Sequence, residues 1–554
     1  MTRTLIRDAL IVTGDGETAP FAGDALVEGD RILRLGAVPR SESTGCHTID
    51  AAGLALAPGF IDAHNHGALG GTRPGKSGLP VACENALLGG VTRRICGTDG
   101  LSPAPVAEAD WRDYAAFLAN VDGTIGPAGA AASGGDWPWR TTAQFWDWWR
   151  GRGATDMGLH LGHGAVRRAV LGNAPRRAQP TELAAMAGLV RREAPATLGF
   201  STGLIYNPAV FAGRAELSAL IRAFNDVHAG AFFPHIRNES DAILEAVREA
   251  VEAAVDGGGA YCNEHTKIAG PGNFAKIGAL EDLFNDARAS IPAIENMYLY
   301  TAGSTTGWAI FPPEFRSGSK DDLARRLASP ASLRAIWEWM RSGSSTWENF
   351  YSFCGGWQGV QIAGVKPGVG EAFLGRRLAD LIHARGADPA GLSGLEAIAA
   401  FFLENDLQIT VISHHGDEPT VRRLFRRPSM AICTDGLMPG PGQKPHPRSI
   451  GTFPRALRTA RELGLPLHEI VYRMTELPAR FLHLESPVLR PGADASLVLF
   501  DPGRVIDRNS YDDPFVPNEG IERVWVHGQL LLDRGRFIVP ETLPGRVLRV
   551  VEGR

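Results

Sequence analysis

The chain has 554 residues, of which 44% are hydrophobic and 21% are charged, and its formal net charge is −5. This composition is typical of a globular protein. The sequence has no long basic tract that would indicate nucleic-acid binding, and no run of about 18 apolar residues that would indicate a membrane span. The length predicts two or three domains, although an α/β barrel can also carry long insertions.

The two ends of the chain are rich in short strand-like runs separated by turns. These runs are 5–6, 9–12, 25–27 and 31–35 near the start, and 495–500, 524–526 and 530–532 near the end. Apolar and β-branched residues between Gly and Asp turns are typical of short strands. The simplest packing joins residues 1–56 and 481–554 in one small β-sandwich domain beside an α/β domain.

Residues 57–480 alternate between strand-like and helix-like segments. The strand candidates include 94–97, 231–236, 260–265 and 429–434, and the helix candidates include 240–255 and 374–385. Such alternation predicts a parallel sheet flanked by helices, and the number of units favours a closed TIM-like (β/α)8 barrel with an insertion.

An apolar run over residues 54–61 leads into His64 and His66. We interpret the run as a buried parallel strand. Side chains at i and i+2 of a strand point to the same side, so the two imidazoles face one point. Two surface histidines can show the same spacing, but neutral imidazole is the commonest metal ligand and barrel enzymes place their chemistry at strand ends. The pattern therefore favours a metal site.

Four more polar residues follow predicted strands: Asp99, His235, His265 and Asp435. Taken singly, each is more often a hydrogen-bonded loop residue than a ligand. Taken together with the two histidines, they can hold one or two divalent ions and leave one carboxylate to carry protons.

Nine segments give the chain its family character. They are 58–66 (PGFIDAHNH), 97–105 (GTDGLSPAP), 162–167 (GHGAVR), 199–206 (GFSTGLIY), 234–239 (PHIRNE), 264–267 (EHTK), 300–305 (YTAGST), 434–436 (TDG) and 446–455 (HPRSIGTFPR). Through these segments the chain resembles the amidohydrolase superfamily, and within it the N-acyl-D-amino-acid deacylases (D-aminoacylases), along nearly its whole length. The last two segments are the most specific to the deacylases.

The resemblance implies a metal-dependent amidohydrolase that acts on linear amides. It implies zinc held by residues matching His64, His66, His235 and His265, and a catalytic residue matching Asp435. The expected reaction is hydrolysis of the amide bond of an N-acyl-D-amino acid, which releases a carboxylate and a D-amino acid. The expected partner is a small-molecule substrate, with no nucleic acid or membrane involved.

One position departs from the family pattern. The family usually has Asn-Cys-Gly at 98–100, where the Cys is a zinc ligand, and this chain has Thr-Asp-Gly. Cys96 lies three residues before Asp99, on the opposite face of a regular strand, so we place Asp99 and not Cys96 at the metal. A carboxylate is a harder ligand than a thiolate and can bridge two ions, so we expect the selectivity for zinc to loosen.

Three residues are candidates for substrate binding. Lys267, two residues after His265, is a candidate contact for the substrate α-carboxylate. Tyr206 and Arg448 match family positions near the substrate. Each of the three could instead have a surface or supporting role.

Other functions remain open from the sequence. Residues 199–203 fit the G-x-S-x-G pattern of serine hydrolases, but Pro208 interrupts the helix that such a motif requires. A dipeptidase or a cyclic-amide hydrolase is the nearest alternative, and the absence of a lysine at a predicted strand end, where a carboxylated bridging ligand would lie, favours the deacylase. A non-catalytic scaffold protein with the same fold is the alternative from a different functional class.

Localisation is predicted from the two remaining features of the sequence. Residues 1–8 lack the apolar segment of a secretory signal peptide, and the six cysteines are scattered with no Cys-x-x-Cys pair. Cysteines so placed are typical of thiols in a reducing compartment. We therefore expect a cytoplasmic protein.

Overall fold

The computed structural model describes residues 3–123, 137–342, 347–438, 440 and 442–551. The strands in these residues are β1 (Arg3–Ile11), β2 (Phe21–Glu28), β3 (Arg31–Gly36), β4 (His47–Asp50), β5 (Ala55–Pro58), β6 (Phe60–Asp62), β7 (Val91–Cys96), β8 (Asp156–Leu159), β9 (Leu161–Gly162), β10 (Phe200–Gly203), β11 (Ala231–His235), β12 (Ala260–Asn263), β13 (Ala293–Met297), β14 (Ala302–Thr306), β15 (Val360–Gly364), β16 (Thr410–His414), β17 (Met430–Ile432), β18 (Leu497–Phe500), β19 (Ile521–Val526), β20 (Gln529–Asp533) and β21 (Arg536–Phe537).

Helices separate most of the strands in the middle of the chain. They are α1 (Arg40–Ser43), α2 (Val81–Leu88), α3 (Trp111–Leu118), α4 (Thr142–Trp149), α5 (His163–Leu171), α6 (Pro180–Glu193), α7 (Arg214–Asn225), α8 (Ile243–Gly257), α9 (Ile277–Ser290), α10 (Lys320–Leu327), α11 (Pro330–Arg341), α12 (Phe350–Phe353), α13 (Leu378–Ala384), α14 (Leu392–Glu404), α15 (Glu418–Phe425), α16 (Arg448–Glu462), α17 (Leu467–Met474) and α18 (Glu476–Phe481). None of these helices, in the part of the chain that is described, combines the length and apolar character that a membrane span requires.

Both ends of the chain pair in one nine-stranded sheet. Its order is β21-β20-β19-β18-β5-β1-β2-β3, with β4 also beside β1. The two ends meet where β18 pairs antiparallel with β5. The sheet encloses a buried core that includes Ile6, Ile32, Leu56, Leu497 and Trp525. Strands from the start and from the end of the chain therefore share one hydrophobic core, which makes this sheet a single unit.

The middle of the chain forms a ring of parallel strands. β6, β7 and β8 pair in parallel, and so do β9, β10, β11, β12, β13 and β17 in that order. β8 and β9 are one strand interrupted at His160. The ring closes where Asn65 and Gly436 form a parallel bridge and the Asp435 N–H donates to the His64 carbonyl at 2.8 Å. All the carboxyl ends of these strands consequently point to one end of the ring.

The apolar run over residues 54–61 is not the single parallel strand that was predicted. It is divided between β5, in the nine-stranded sheet, and β6, in the ring. The Gly59 N–H donates to the Ser496 carbonyl at 2.9 Å, whereas the Phe60 N–H donates to the Gly90 carbonyl at 3.0 Å. The hydrophobic periodicity of the sequence cannot locate such a change of pairing strand, because both halves of the run are buried and apolar.

The helix predicted over 240–255 begins later than expected, at Ile243. The side-chain oxygen of Asn238 accepts the N–H groups of Ser240 at 2.8 Å and Ala242 at 3.0 Å. Asparagine side chains commonly stabilise such turns at the expense of the first helical residues. This turn directs the residues that follow β11 back over the end of the ring.

A separate layer covers part of the same end of the ring. It includes a three-stranded antiparallel sheet of order β14-β16-β15, together with α10, α11 and α12. Residues at its edges, including Ser304, Thr305, Ser413 and His415, line a cavity against the strand ends. This layer, inserted between β13 and β17, supplies the wall of the cavity that the ring itself does not provide.

A buried histidine links the nine-stranded sheet to the ring. His527, in the turn between β19 and β20, places Nδ1 2.6 Å from Asp494 Oδ2 and Nε2 2.8 Å from Asp156 Oδ1. Burial alone would lower the pKa of His527, but hydrogen bonds and charge from both carboxylates raise it to about 9. The protonated imidazole therefore bridges two carboxylates that belong to different sheets.

We expect this bridge to make the free energy of unfolding depend on pH. The folded-state pKa of His527 lies above the unfolded value of about 6.5, so its contribution is complete below that pH and is lost as the pH rises through about 9. The loss should be about 1–3 kcal/mol, and His527→Gln should remove it. Urea unfolding across this pH range tests the prediction, with His47→Gln, at an exposed position in β4, as the control. An unchanged pH slope in His527→Gln would contradict it.

Candidate metal centre

The six predicted metal and catalytic residues come together at the carboxyl ends of the ring strands. His64 and His66 follow β6, Asp99 follows β7, His235 ends β11, His265 follows β12 and Asp435 follows β17. Every one of these side chains is buried, with no residue of the set more than 6% exposed. Their arrangement depends on strands that are far apart in the sequence and adjacent in the ring.

Asp99 lies at the centre of the four histidines. Its Oδ1 is 3.2 Å from His265 Nε2 and 3.7 Å from His64 Nε2. Its Oδ2 is 3.4 Å from His66 Nε2 and 3.6 Å from His235 Nδ1. Burial would raise the pKa of Asp99, but the surrounding imidazoles lower it well below its usual range. Each oxygen of this carboxylate therefore faces two imidazoles.

Asp435 lies on the other side of the two histidines that follow β6. Its Oδ1 is 3.3 Å from His66 Nε2 and 3.6 Å from His64 Nε2, and its Oδ2 is 2.8 Å from Arg448 Nη1. Burial would raise the pKa of this carboxyl, but Arg448 and then His66 hold it below its usual range. Asp435 is therefore an ionised carboxylate with one oxygen turned to the imidazoles and the other held by a guanidinium.

Three of the site residues have left-handed backbone conformations. The φ angles are 54° at Asp99, 32° at His265 and 49° at Asp435. Asp and His enter this region more readily than most residues, but the conformation still carries strain, which tends to occur at functional sites. The reversal directly after each strand turns the side chain inward, toward the common point.

The donor set fits a divalent cation such as zinc. Donor atoms of His64, His66, Asp99 and Asp435 lie within 4.8 Å of one another, and those of Asp99, His235 and His265 do the same. Burial lowers the pKa of a histidine, yet Asp435 and Asp99 raise that of His66 to about 10. Both ring nitrogens of His235 are buried without a hydrogen-bond partner among the described residues. Imidazoles with carboxylates are typical zinc ligands, and the site favours added positive charge.

Two carboxylates that were not predicted support the histidines from behind. Glu264 Oε1 lies 2.9 Å from His64 Nδ1, although the angle is outside that of a hydrogen bond, and Glu239 Oε1 lies 3.1 Å from His265 Nδ1. Carboxylates so placed orient metal-binding imidazoles. Both residues lie in segments that carry the family resemblance, PHIRNE and EHTK, so the signal was present in the sequence.

The three predicted substrate-binding residues line one cavity beside the metal centre. Lys267 Nζ is 2.8 Å from His265 Nδ1 and is also held by Glu239. Tyr206 shares a hydrogen bond of 2.8 Å with a threonine hydroxyl of β14. The Arg448 guanidinium lies 4.4 Å from the centre of the Tyr298 ring. The structure thus brings all three next to the metal centre, and their roles stay predictions.

Part of the cavity lining was not predicted from the sequence. It includes Glu348, Phe350, Phe353 and His415. Burial, and then the charge of Glu239, raise the pKa of Glu348 to about 8. Burial lowers the pKa of His415 to about 3, so this histidine is neutral. No motif marks these residues, and only the packing of the inserted layer places them here.

Cys96 lies outside the metal centre. Its thiol is fully buried and approaches the Asn65 side-chain oxygen at 3.8 Å. Burial raises the pKa of Cys96 to about 12. Among the described residues, Cys96 belongs to none of the clusters that could hold a metal, whereas Asp99 belongs to two. This placement agrees with the strand register assumed from the sequence.

Comparison with known proteins places this chain in a family. The pattern of the family described as "Amidohydrolase family" matches residues 371–532. An N-acyl-D-aspartate deacylase of Alcaligenes xylosoxydans xylosoxydans is 30% identical over 552 residues, which cover 98% of this chain and 94% of the relative. The chain belongs to the N-acyl-D-amino-acid deacylase family of amidohydrolases. An N-acyl-D-glutamate deacylase of the same organism is 31% identical over 534 residues, covering 95% and 92% of the two chains.

A solved member of the deacylase family has the same fold. The crystal structure of an N-acyl-D-glutamate deacylase from Bordetella bronchiseptica, complexed with zinc and a phosphonate inhibitor that mimics the tetrahedral intermediate, superposes with a TM-score of 0.77. The two chains are 26% identical, and the match covers 99% of each. The predicted deacylase family, enzyme class and α/β fold class are therefore confirmed. The domain bounds 1–56, 57–480 and 481–554 stay predictions.

Proposed function

We propose that this chain hydrolyses the amide bond of N-acyl-D-amino acids, producing a carboxylate and a free D-amino acid. The observation that carries the proposal is the cluster of four histidines and two aspartates at the carboxyl ends of the ring strands, in a chain of the deacylase family. A non-catalytic scaffold would have no need to bury six such groups, three of them in left-handed conformations.

Five residues would hold the metal: His64, His66, Asp99, His235 and His265. A zinc ion held there would lower the pKa of water and polarise the amide carbonyl. The carboxylate of Asp99, which faces all four imidazoles, would be a central ligand of the bound metal. Because this carboxylate replaces the usual cysteine, harder divalent ions should compete with zinc more effectively than in the family at large.

Asp435 would carry the proton of the reaction. Its pKa is held low, chiefly by Arg448 acting against the effect of burial, so the carboxyl is ionised, which is the form that can accept a proton from the attacking water. The same carboxyl would then deliver this proton to the leaving nitrogen. One group can act as base and then as acid because the two proton transfers follow one another.

The cavity residues would fix the rest of the substrate. Arg448 and Lys267 are the lysine and arginine side chains that line the cavity in the described residues, and together they provide the positive charge that the α-carboxylate needs. The hydroxyl of Tyr206 lies at the same wall and could donate to the carbonyl of the acyl group. Five of the six cysteines are buried thiols, and on that ground we place the enzyme in the cytoplasm.

Two measurements on the purified protein test the proposal. A set of N-acyl-D-amino acids and their L-enantiomers should show hydrolysis of the D-series, and elemental analysis should find at least one divalent transition metal per chain. Removal of the metal by a chelator should abolish turnover, and added zinc should restore it. Full activity in chelator by a metal-free protein would contradict the metal-dependent mechanism, and equal or faster hydrolysis of the L-series would contradict the proposed substrate class.

A further inference from the structure

Both cations that line the cavity in the described residues are paired with carboxylates. Arg448 binds Asp435 at 2.8 Å, and Lys267 binds Glu239 at 2.7 Å. Glu348 lines the same cavity, and no lysine or arginine of the described residues lies within 4.0 Å of its carboxylate. Both cations of the cavity are thus already beside carboxylates, and Glu348 has none.

Glu348 is held in place although it is unpaired. The residue is only 3% exposed, and its Oε1 accepts the backbone N–H of Glu239. Its carboxylate also lies within 4.8 Å of the Glu239 carboxylate and of a nitrogen of His235. A buried carboxyl beside another carboxylate is costly unless a positive group offsets it. Lys267, a cation of the same cavity, binds Glu239 instead, so its charge offsets that of Glu348 only in part.

The substrate of the proposed reaction would bind in this cavity. An N-acyl derivative of D-aspartate or D-glutamate carries a second carboxylate in addition to the α-carboxylate. Among the described residues no third lysine or arginine lines the cavity to receive it, and on this wall it would meet Glu348. Phe350 and Phe353 line the same cavity and offer an apolar surface to the methylene stem of a long side chain.

We propose that this cavity selects substrates that carry a basic group, which Glu348 binds, and that it disfavours acidic side chains. The inference rests on the proposed deacylase function and names its substrate class. The basic group is a cationic nitrogen that has two possible sources, the side chain of D-lysine or D-arginine and a free amino group on the acyl portion. The relatives that act on D-aspartate and D-glutamate would then differ from this enzyme in the side chain that they accept.

The first experiment compares kcat/KM for substrates that differ only in the relevant group. N-Acetyl-D-arginine, N-acetyl-D-leucine and N-acetyl-D-glutamate test the side chain, and glycyl-D-leucine against N-acetyl-D-leucine tests the acyl portion. A charge-assisted contact is worth about tenfold or more, so at least one basic substrate should exceed its neutral partner by about that factor. N-Acetyl-D-glutamate should be the poorest of the acetyl series.

The second experiment replaces the ionisable carboxyl of Glu348 with an amide. Glu348→Gln keeps the acceptor oxygen for the Glu239 N–H and should lower kcat/KM for the preferred basic substrate about tenfold, mainly through KM. The ratio of kcat/KM for the basic substrate to kcat/KM for N-acetyl-D-leucine should therefore fall about tenfold, because the neutral substrate makes no charged contact there. Glu396→Gln, at an exposed position of α14, is the matched control and should leave the ratio of basic to neutral substrate unchanged.

The outcomes separate this inference from the function on which it rests. A preference for either basic substrate that disappears in Glu348→Gln supports the inference and shows which part of the substrate carries the charge. A preference for N-acetyl-D-glutamate, or a ratio that Glu348→Gln does not change, overturns it while the deacylase function stands. Failure to hydrolyse any N-acyl-D-amino acid overturns the proposed function itself.

Discussion

Asp435→Asn is expected to lower kcat by about 10²–10⁴-fold while the metal stays bound, because a general base contributes about that much. The amide keeps the size of the carboxylate but cannot accept the proton. Asparagine also tolerates the left-handed conformation at this position, where φ is 49°, so the fold should not change. Steady-state kinetics together with elemental analysis of the same preparation measure both quantities.

The comparison for this variant is Asp282→Asn, which makes the same chemical change at an exposed position of α9. It should have the activity of the unmodified enzyme. If Asp435→Asn keeps activity within a few-fold of that level, Asp435 is not the proton carrier. If the Asp435→Asn variant loses metal together with activity, Asp435 is primarily a metal ligand, and its catalytic role must be tested by another route.

Asp99→Asn is expected to reduce metal content and activity together, because the central carboxylate is an anionic group that faces all four imidazoles. Asparagine is preferred to alanine for this test, since φ is 54° at Asp99 and asparagine adopts that conformation with less strain. Asp99→Cys restores the family pattern and should bind zinc at least as tightly, because thiolate is the softer ligand. Zinc affinity measured with a competing chelator compares the three proteins.

The matching substitution at the other candidate metal ligand of this segment is Cys96→Ala. Its thiol is buried in the core, so we expect a loss of stability on the order of 1 kcal/mol or somewhat more and no change in zinc affinity. The reverse pattern, in which Cys96→Ala strips the metal and Asp99→Asn does not, would make the thiolate the ligand. The strand register after β7 would then be wrong by three residues.

The sequence predicted those parts of the molecule that depend on local pattern. Strands β11 and β12 begin at the predicted residues, and His235 and His265 stand at their ends as expected. The change from β5 to β6 within residues 54–61 was missed, because two buried strands in succession look the same as one long strand. The strand with which a given residue pairs is decided by backbone partners that lie far away in the sequence.

The residues of the candidate site also divide into those that the sequence pattern marks and those that it does not. Glu239 and Glu264 lie in segments that resemble the family and could have been noticed as carboxylates near histidines. Glu348 and His415 could not, because they come from the layer inserted between β13 and β17 and reach the cavity only through tertiary packing. The residues expected to decide which substrate is accepted are therefore those that the sequence pattern marks least.

The nine-stranded sheet also sets the order of events during synthesis. β5 pairs with β18, which emerges from the ribosome more than 400 residues later. At 5–20 residues per second, the edge of β5 stays unpaired for roughly 20–80 s, and exposed strand edges invite association with other chains. Changes in β18 should therefore act first on the yield of soluble protein, whereas the candidate metal and catalytic residues of the ring would be intact in every molecule that completes the sheet.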